Sequence, residues 1–227
     1  MERQFVRFAF YAVDPAFRAL EPEARASVKK DLAEILDSDA ERLLVRTYST
    51  VGFRGDCDLL VWAASEDADD LTALAAAVNR SGMAPYLRIA HSYFSMTKPS
   101  QYLGSHRHEG QEGTRTKLTP GDAAFLFVYP FWKTHEWYQL EFEERMRLMK
   151  EHFAIGHKYP SVRLNTTYAF GLDDPEFVLA FETDEPGEFL ALVEELRGAE
   201  QRPYTLRDTP IFTCRRMTAA EALDQVG

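Results

Sequence analysis

The chain has 227 residues, 45 % hydrophobic and 27 % charged, enough to bury a sizeable core. A formal net charge of −10 argues against nucleic acid as a partner, because phosphate binding calls for a basic face. The sequence opens on no charged-then-apolar leader and its longest aliphatic runs, such as 59–64, are strand-sized, so a soluble, cytoplasmic protein without a membrane partner is expected. Cys57 and Cys214, with no CxxC spacing, indicate neither a disulfide framework nor a zinc site.

In chain order, alternation over 5–13 predicts a strand, ended by Asp14-Pro15. Glu21-Pro22 then opens a helix to about Asp37, since proline is tolerated in a first helical turn. Residues 43–51 and 57–64 read as a hairpin around Gly52 and Gly55. A helix from Asp69 to about Arg80 and a strand over 89–96 complete a first unit. The second unit repeats the order: strand 123–129, one long helix from Glu136 to about Gly156, hairpin strands 162–170 and 177–181, helix 188–197 and strand 211–216. Each half is β-α-β-β-α-β, the ferredoxin-like arrangement, and two such antiparallel sheets are expected to pack face to face or to close into a barrel.

The repeat is visible in the residues themselves. Apolar strands ending in acidic turns, 58–67 and 176–185, precede helices with matched apolar positions: Leu71, Leu74 and Val78 in one, Phe189, Leu192 and Leu196 in the other. The offset is 118 residues, too long for a solenoid and right for two copies of a small domain. The expected division is 1–98 for the N-terminal half, 99–122 for a loop and 123–227 for the C-terminal half. The loop is polar and glycine-rich, the composition of a linker or a lid. Its His106 and His108 lack a third ligand nearby, so solvated side chains are a better reading than a metal pair.

In the second half, Tyr138, Phe142, Met146, Met149 and Phe153 fall at helical spacing and read as a core stripe. His152 sits beside that stripe, where it can point partly inward. On periodicity alone, the simpler role is a helix-end histidine at the negative end of the helix dipole. Tyr129 ends an apolar strand, and Pro130 removes the next backbone donor, so the tyrosine is expected where the strand leaves the sheet. A rim aromatic for Tyr129 and a solvated cation for Lys133 are the ordinary roles.

Together, Tyr129-Pro-x-x-Lys133-x-x-Glu136-Trp137-Tyr138, Glu143-Glu144-Arg145, Glu151-His152, Gly171-Leu172-Asp173-Asp174 and Phe181-Glu182-Thr183 resemble the chlorite dismutase superfamily, most closely its coproheme decarboxylase branch. The resemblance covers the second half strongly and the first half through the repeat. It implies an α+β fold of two ferredoxin-like units forming a dimeric α+β barrel in each chain. It further implies one haem or coproheme in the C-terminal half, a homo-oligomer that is usually a pentamer, and hydrogen peroxide as co-substrate.

By the same resemblance, His152 is the iron ligand, with His157 as fallback, and Glu200 is the carboxylate that holds the other imidazole nitrogen. Such a partner fixes the ring and raises its basicity. Tyr129 is the redox residue that takes a hydrogen atom from a propionate after peroxide has oxidised the iron, and Lys133 lies beside the reacting propionate. Arg115 and Arg207 are candidate propionate ligands, since a planar guanidinium suits a carboxylate.

Chlorite dismutases carry an arginine seven residues before the glycine of Gly-Leu-Asp-Asp, where this chain has Leu164. Arg163 would face the other side of the strand, and a one-residue gap near Pro160 leaves Asn165 as the other occupant. Neither supplies a guanidinium, which ranks chlorite chemistry below coproheme decarboxylation. The expected function is therefore peroxide-dependent oxidative decarboxylation of ferric coproheme. The alternatives are a chlorite dismutase or general haem peroxidase, and a non-catalytic haem-binding or haem-transfer protein.

Overall fold

The computed structural model describes residues 3–37, 42–102 and 117–227, in two compact units, 1–96 with 212–227 and 97–211. Arg115, His106 and His108 lie outside the described residues. Among those described, no helix is long and apolar enough to cross a membrane.

The first unit runs β1 (Phe5–Val13), α1 (Pro22–Leu36), β2 (Leu43–Ser49), β3 (Leu59–Ser65), α2 (Ala68–Arg80) and β4 (Leu87–Met96). A 3-10 turn, Pro15–Ala19, precedes α1. The second unit runs β5 (Phe125–Lys133), a short α3 (His135–Gln139), α4 (Phe142–Gly156), β6 (Arg163–Tyr168), β7 (Phe177–Thr183), α5 (Pro186–Arg197) and β8 (Thr205–Arg207). The C-terminal segment, β9 (Phe212–Arg216) and α6 (Ala219–Asp224), belongs to the first unit. The antiparallel strand order is β4-β1-β3-β2-β9 in the first unit and β6-β7-β5-β8 in the second.

Three expectations are corrected. The segment expected as one closing strand at 211–216 is preceded by β8, which pairs with β5 at Trp132 and Lys133, and β9 is grouped with the first unit, where it pairs with β2, Tyr48 opposite Arg216. The helix expected from Glu136 is two helices, because the backbone turns extended at Leu140 and Glu141. And β5 does not end at Tyr129, since Pro130 keeps its place opposite Val178. A proline can hold such a place where the pair exchanges no ladder hydrogen bonds.

The duplication is closer than the sequence reading had it. β1 and β5 match at an offset of 120, as do the 15-residue helices α1 and α4. β3 and β7 match at 118, so Phe5 opposite Ser65 becomes Phe125 opposite Thr183. The difference is absorbed around the β2–β3 and β6–β7 hairpins, each of which turns on a glycine at positive φ, Gly52 and Gly171, a backbone region that costs side-chain-bearing residues energy. Fine contacts repeat as well. Val13 donates its backbone N–H to the Asp58 carboxylate at 2.7 Å, and Lys133 donates its own to Glu176 at 2.6 Å. Phe17 and Tyr86 meet at 5.8 Å and 57°, Trp137 and Tyr204 at 5.7 Å and 57°.

The first unit buries an apolar core of Ala9, Val13, Phe17, Leu32, Leu71, Leu74, Val78 and Met83, among others. In the second unit, Phe127, Tyr129, Ile155, Phe181, Phe189 and Leu192 pack between the sheet and α4 and α5.

Candidate functional site

The duplicated frame shows where the second unit departs from the first. Leu32, Val13, Met83 and Phe17, all buried in the first core, correspond to His152, Lys133, Gln201 and Trp137. Three positions that are apolar in the first unit are polar in the second.

Those three are joined. The Lys133 ammonium donates to Gln201 Oε1, and Gln201 Nε2 lies 3.2 Å from His152 Nδ1. The direction of this relay follows from chemistry. An ammonium has only donors, so it takes the amide oxygen. The amide NH2 then faces Nδ1, which must accept, and the imidazole proton sits on Nε2.

The surroundings tune all three groups. Lys133 is only 8 % exposed, and its ammonium lies 4.1 Å from the centre of the Trp137 ring, a favourable cation–π contact. Burial, and then the Arg202 charge, pull its pKa from 10.5 down to about 8. Burial, and then the Lys133 charge, push His152 down to about 4, so the imidazole is neutral at physiological pH. Its Nε2 makes no hydrogen bond among the described residues. A neutral imidazole with one nitrogen held by a partner has the residue type of an iron ligand, although the proton on Nε2 must move before that nitrogen can bind a metal.

The carboxylate expected of Glu200 is not at the imidazole. Glu200 is exposed and pairs with Arg147 at 2.7 Å, while its backbone N–H donates to Glu151. Gln201 occupies the buried position because it follows the turn after α5, where the first unit places Met83. The expected core stripe is also corrected. Phe142 and Tyr138 are exposed, and α4 buries Leu148 and Ile155 instead. Because the helix begins afresh at Phe142, its inner face runs through 148, 152 and 155, and His152 is on that face rather than beside it. His157 is the exposed C-cap of α4.

Tyr129 shares the helix-facing side of β5 with Phe127, Phe131 and Lys133, since side chains alternate along a strand. It is buried and stacks on Phe181 at 5.7 Å and 13°. Burial first, then the Asp208 carboxylate, raise its pKa above the usual phenol range, with Arg197 and Arg202 opposing. Arg202 thus acts on both Lys133 and Tyr129. It shares Asp208 with Arg197, donating at 2.7 Å. The two arginines form a cationic corner that the sequence reading missed, because neither lies in a motif. Arg207, singled out by resemblance, is exposed, stacks over Trp132 at 5.1 Å and donates Nε to the Thr209 carbonyl.

On β6, register separates the two candidates for the far wall. Leu164 lies opposite Phe181 and packs in the helix-side core. Asn165 points to the other face, donating to the buried Glu182 at 2.7 Å. Of the two candidates Leu164 is the one on the helix-facing side of the sheet, and neither supplies a guanidinium.

The chain is similar to known proteins along most of its length. The family model described as chlorite dismutase matches residues 25–217. The chain is 30 % identical over 218 residues to a coproheme decarboxylase from Mycolicibacterium smegmatis, covering 95 % of this chain and 90 % of that protein. It is 30 % identical over 210 residues to one from Staphylococcus carnosus, covering 84 % and 82 %. A solved chlorite dismutase variant from Candidatus Nitrospira defluvii shares the fold with a TM-score of 0.89 at 21 % identity, over 98 % of this chain and 95 % of that one.

Proposed function

We propose, from the premise that this chain belongs to the chlorite dismutase family, that it is a coproheme decarboxylase: a haem-dependent oxidoreductase that converts propionates of ferric coproheme to vinyl groups with hydrogen peroxide as oxidant. The observation that carries the reading is the hydrogen-bonded set of half-buried His152 with buried Gln201 and Lys133 in a frame whose other copy is apolar at the same positions. A buried polar group is costly unless a partner or ligand rewards it, and an oriented, neutral imidazole is the chemistry an iron porphyrin needs.

Coproheme is both the bound iron centre and the substrate. Each propionate loses carbon dioxide, and the carbon attached to the ring gives up one hydrogen. The two electrons released reduce one peroxide to two waters, with one proton taken up. His152 holds the iron. Tyr129, buried and stacked on Phe181, rests as a protonated phenol; after losing its O–H hydrogen to the oxidant it would take one hydrogen atom from the propionate carbon next to the ring, which restores the phenol. Arg202 and Arg197 supply fixed positive charge for carboxylates, since guanidinium forks suit them. Leu164 leaves the far wall without a cation for an anionic chlorine oxide, which favours decarboxylation over chlorite chemistry. A cytoplasmic homo-oligomer, with five subunits favoured, belongs to the same proposal.

The test is Tyr129→Phe, which removes the hydroxyl and keeps the ring. The variant is expected to bind ferric coproheme nearly normally and to give no vinyl product with peroxide, read as product mass. Equal turnover in both proteins refutes the tyrosine role. Tight binding with no turnover in either refutes decarboxylation and favours a passive haem carrier.

A further inference from the structure

The relay as it stands presents the wrong nitrogen. Lys133 fixes the amide oxygen of Gln201, Gln201 donates to His152 Nδ1, and Nε2, the nitrogen facing the site, therefore carries the proton. Iron can be bound only by a bare nitrogen. If Nε2 is to ligate, the proton must move to Nδ1, which then confronts the amide NH2, donor against donor. A carboxylate in place of the amide would not raise this conflict, because it accepts on both sides. Gln201 has one donor end and one acceptor end, so it must turn over, offering its oxygen to Nδ1 and its NH2 to Lys133. The lysine nitrogen can accept only when neutral.

We propose that Gln201 and Lys133 form a polarity lock on His152: ligation of iron porphyrin through Nε2 requires the Gln201 amide to turn over and Lys133 to give up its proton, so that loading the site releases one proton to solvent. This rests on His152 being the iron ligand. Gln201 is a positioning residue in this account, acting through the imidazole.

The groups around Lys133 favour such a release. Arg202, on the turn before β8, opposes its charge, Glu176, before β7, favours it, and His152 on α4 is neutral. Trp137 on α3 offers a ring face. Burial has already brought the lysine to about 8. Below that pH the free protein holds the charged, locked form, and the apparent affinity for iron porphyrin should rise tenfold for each pH unit, because one proton is lost. Above about 8 it should level off. The dependence thus runs upward with pH.

The experiment is titration calorimetry of the full chain with ferric coproporphyrin at pH 6 to 9, in two buffers of different ionisation enthalpy to count protons, beside the ferric absorption spectrum. The iron-free porphyrin carries the same carboxylates and is the control for protons lost elsewhere. Wild type is expected to release one proton more with iron than without at pH 7. Lys133→Met leaves Gln201 free to turn, and Gln201→Glu accepts from both neighbours. In each variant the iron-specific proton is expected to disappear, and the tenfold gain in affinity from pH 6 to pH 7 with it. A histidine-ligated spectrum with an unchanged proton count in both variants overturns the lock alone. A His152→Ala protein with the wild-type ferric spectrum overturns the ligand assignment and the lock with it.

Discussion

Placing the first unit's side chains at the equivalent positions of the second, with Lys133→Val, His152→Leu and Gln201→Met together, is expected to stabilise the protein and abolish iron-porphyrin binding. At pH 7 the fold keeps Lys133 charged although burial lowers its pKa from 10.5 to about 8, which costs about 3 kcal/mol at about 1.4 kcal/mol per pH unit. The relay returns about 2 kcal/mol through two side-chain hydrogen bonds at about 1 kcal/mol each. Apolar atoms in place of the imidazole and amide add about 1 kcal/mol more. The net gain of about 2 kcal/mol should raise the unfolding midpoint by about 4–8 °C for a chain of this size. The pH dependence makes the test specific. Between about 8 and 10.5 the unfolded chain still binds the lysine proton and the folded chain does not, so wild-type stability rises with pH over that window. The variant has no such rise, and its advantage should vanish by pH 10. Thermal unfolding at pH 7 and urea titrations at pH 7 and 10 measure both effects. A variant less stable than wild type at pH 7, or an advantage that does not change with pH, would show that the relay supports the fold rather than burdening it.

Acid should weaken the protein through His152, whose folded-state pKa of about 4 lies below the ordinary 6.5. The unfolded chain takes up the proton first, so stability falls from about pH 6.5 down to about pH 4, by about 3 kcal/mol. The unfolding free energy of wild type relative to His152→Leu, from urea titrations, should fall by about 2 kcal/mol between pH 7 and 4.5, and a constant difference contradicts the assignment. Leu164→Arg places a guanidinium on the far wall. Wild type should evolve little oxygen from chlorite and the variant more, whereas rapid, sustained evolution by wild type would reverse the ranking of the two chemistries.

The repeat and most of the strands and helices were legible because their signals are local: alternation over 5–13, helical spacing through Leu71, Leu74 and Val78, glycines at the hairpin turns. The break at Leu140 and Glu141 was not, because neither residue is a helix breaker. It accompanies the contact of Trp137 with Tyr204, residues far apart in the chain. Likewise the identity of the fourth strand in the second unit depends on which sheet edge accepts it, and β9 reads as a strand wherever it pairs. His152 and Tyr129 were found through motif order. Their orientation was not, since the inner face of α4 is set by where the helix begins.

Gln201 shows why the rest of the site stayed hidden. Its neighbour Glu200 carries the residue type the chemistry calls for, and nothing in the spacing separates the two. The duplicate does separate them: aligned on the turn after each final helix, Gln201 falls on the fully buried Met83 and Glu200 on Gly82. The same alignment sets Lys133 on Val13, which is why a lysine that reads as a solvated cation is 8 % exposed. The backbone contacts that hold these positions, Val13 to Asp58 and Lys133 to Glu176, are the same in both units. The scaffold had therefore already brought a strand end, a helix face and a turn together around one apolar point. Polar side chains at three such positions carry a stability cost that the apolar copy does not, the cost expected of a site kept for a ligand. In a duplicated fold, the buried positions where the copies differ in polarity are thus a more direct pointer to chemistry than the motifs either copy contains.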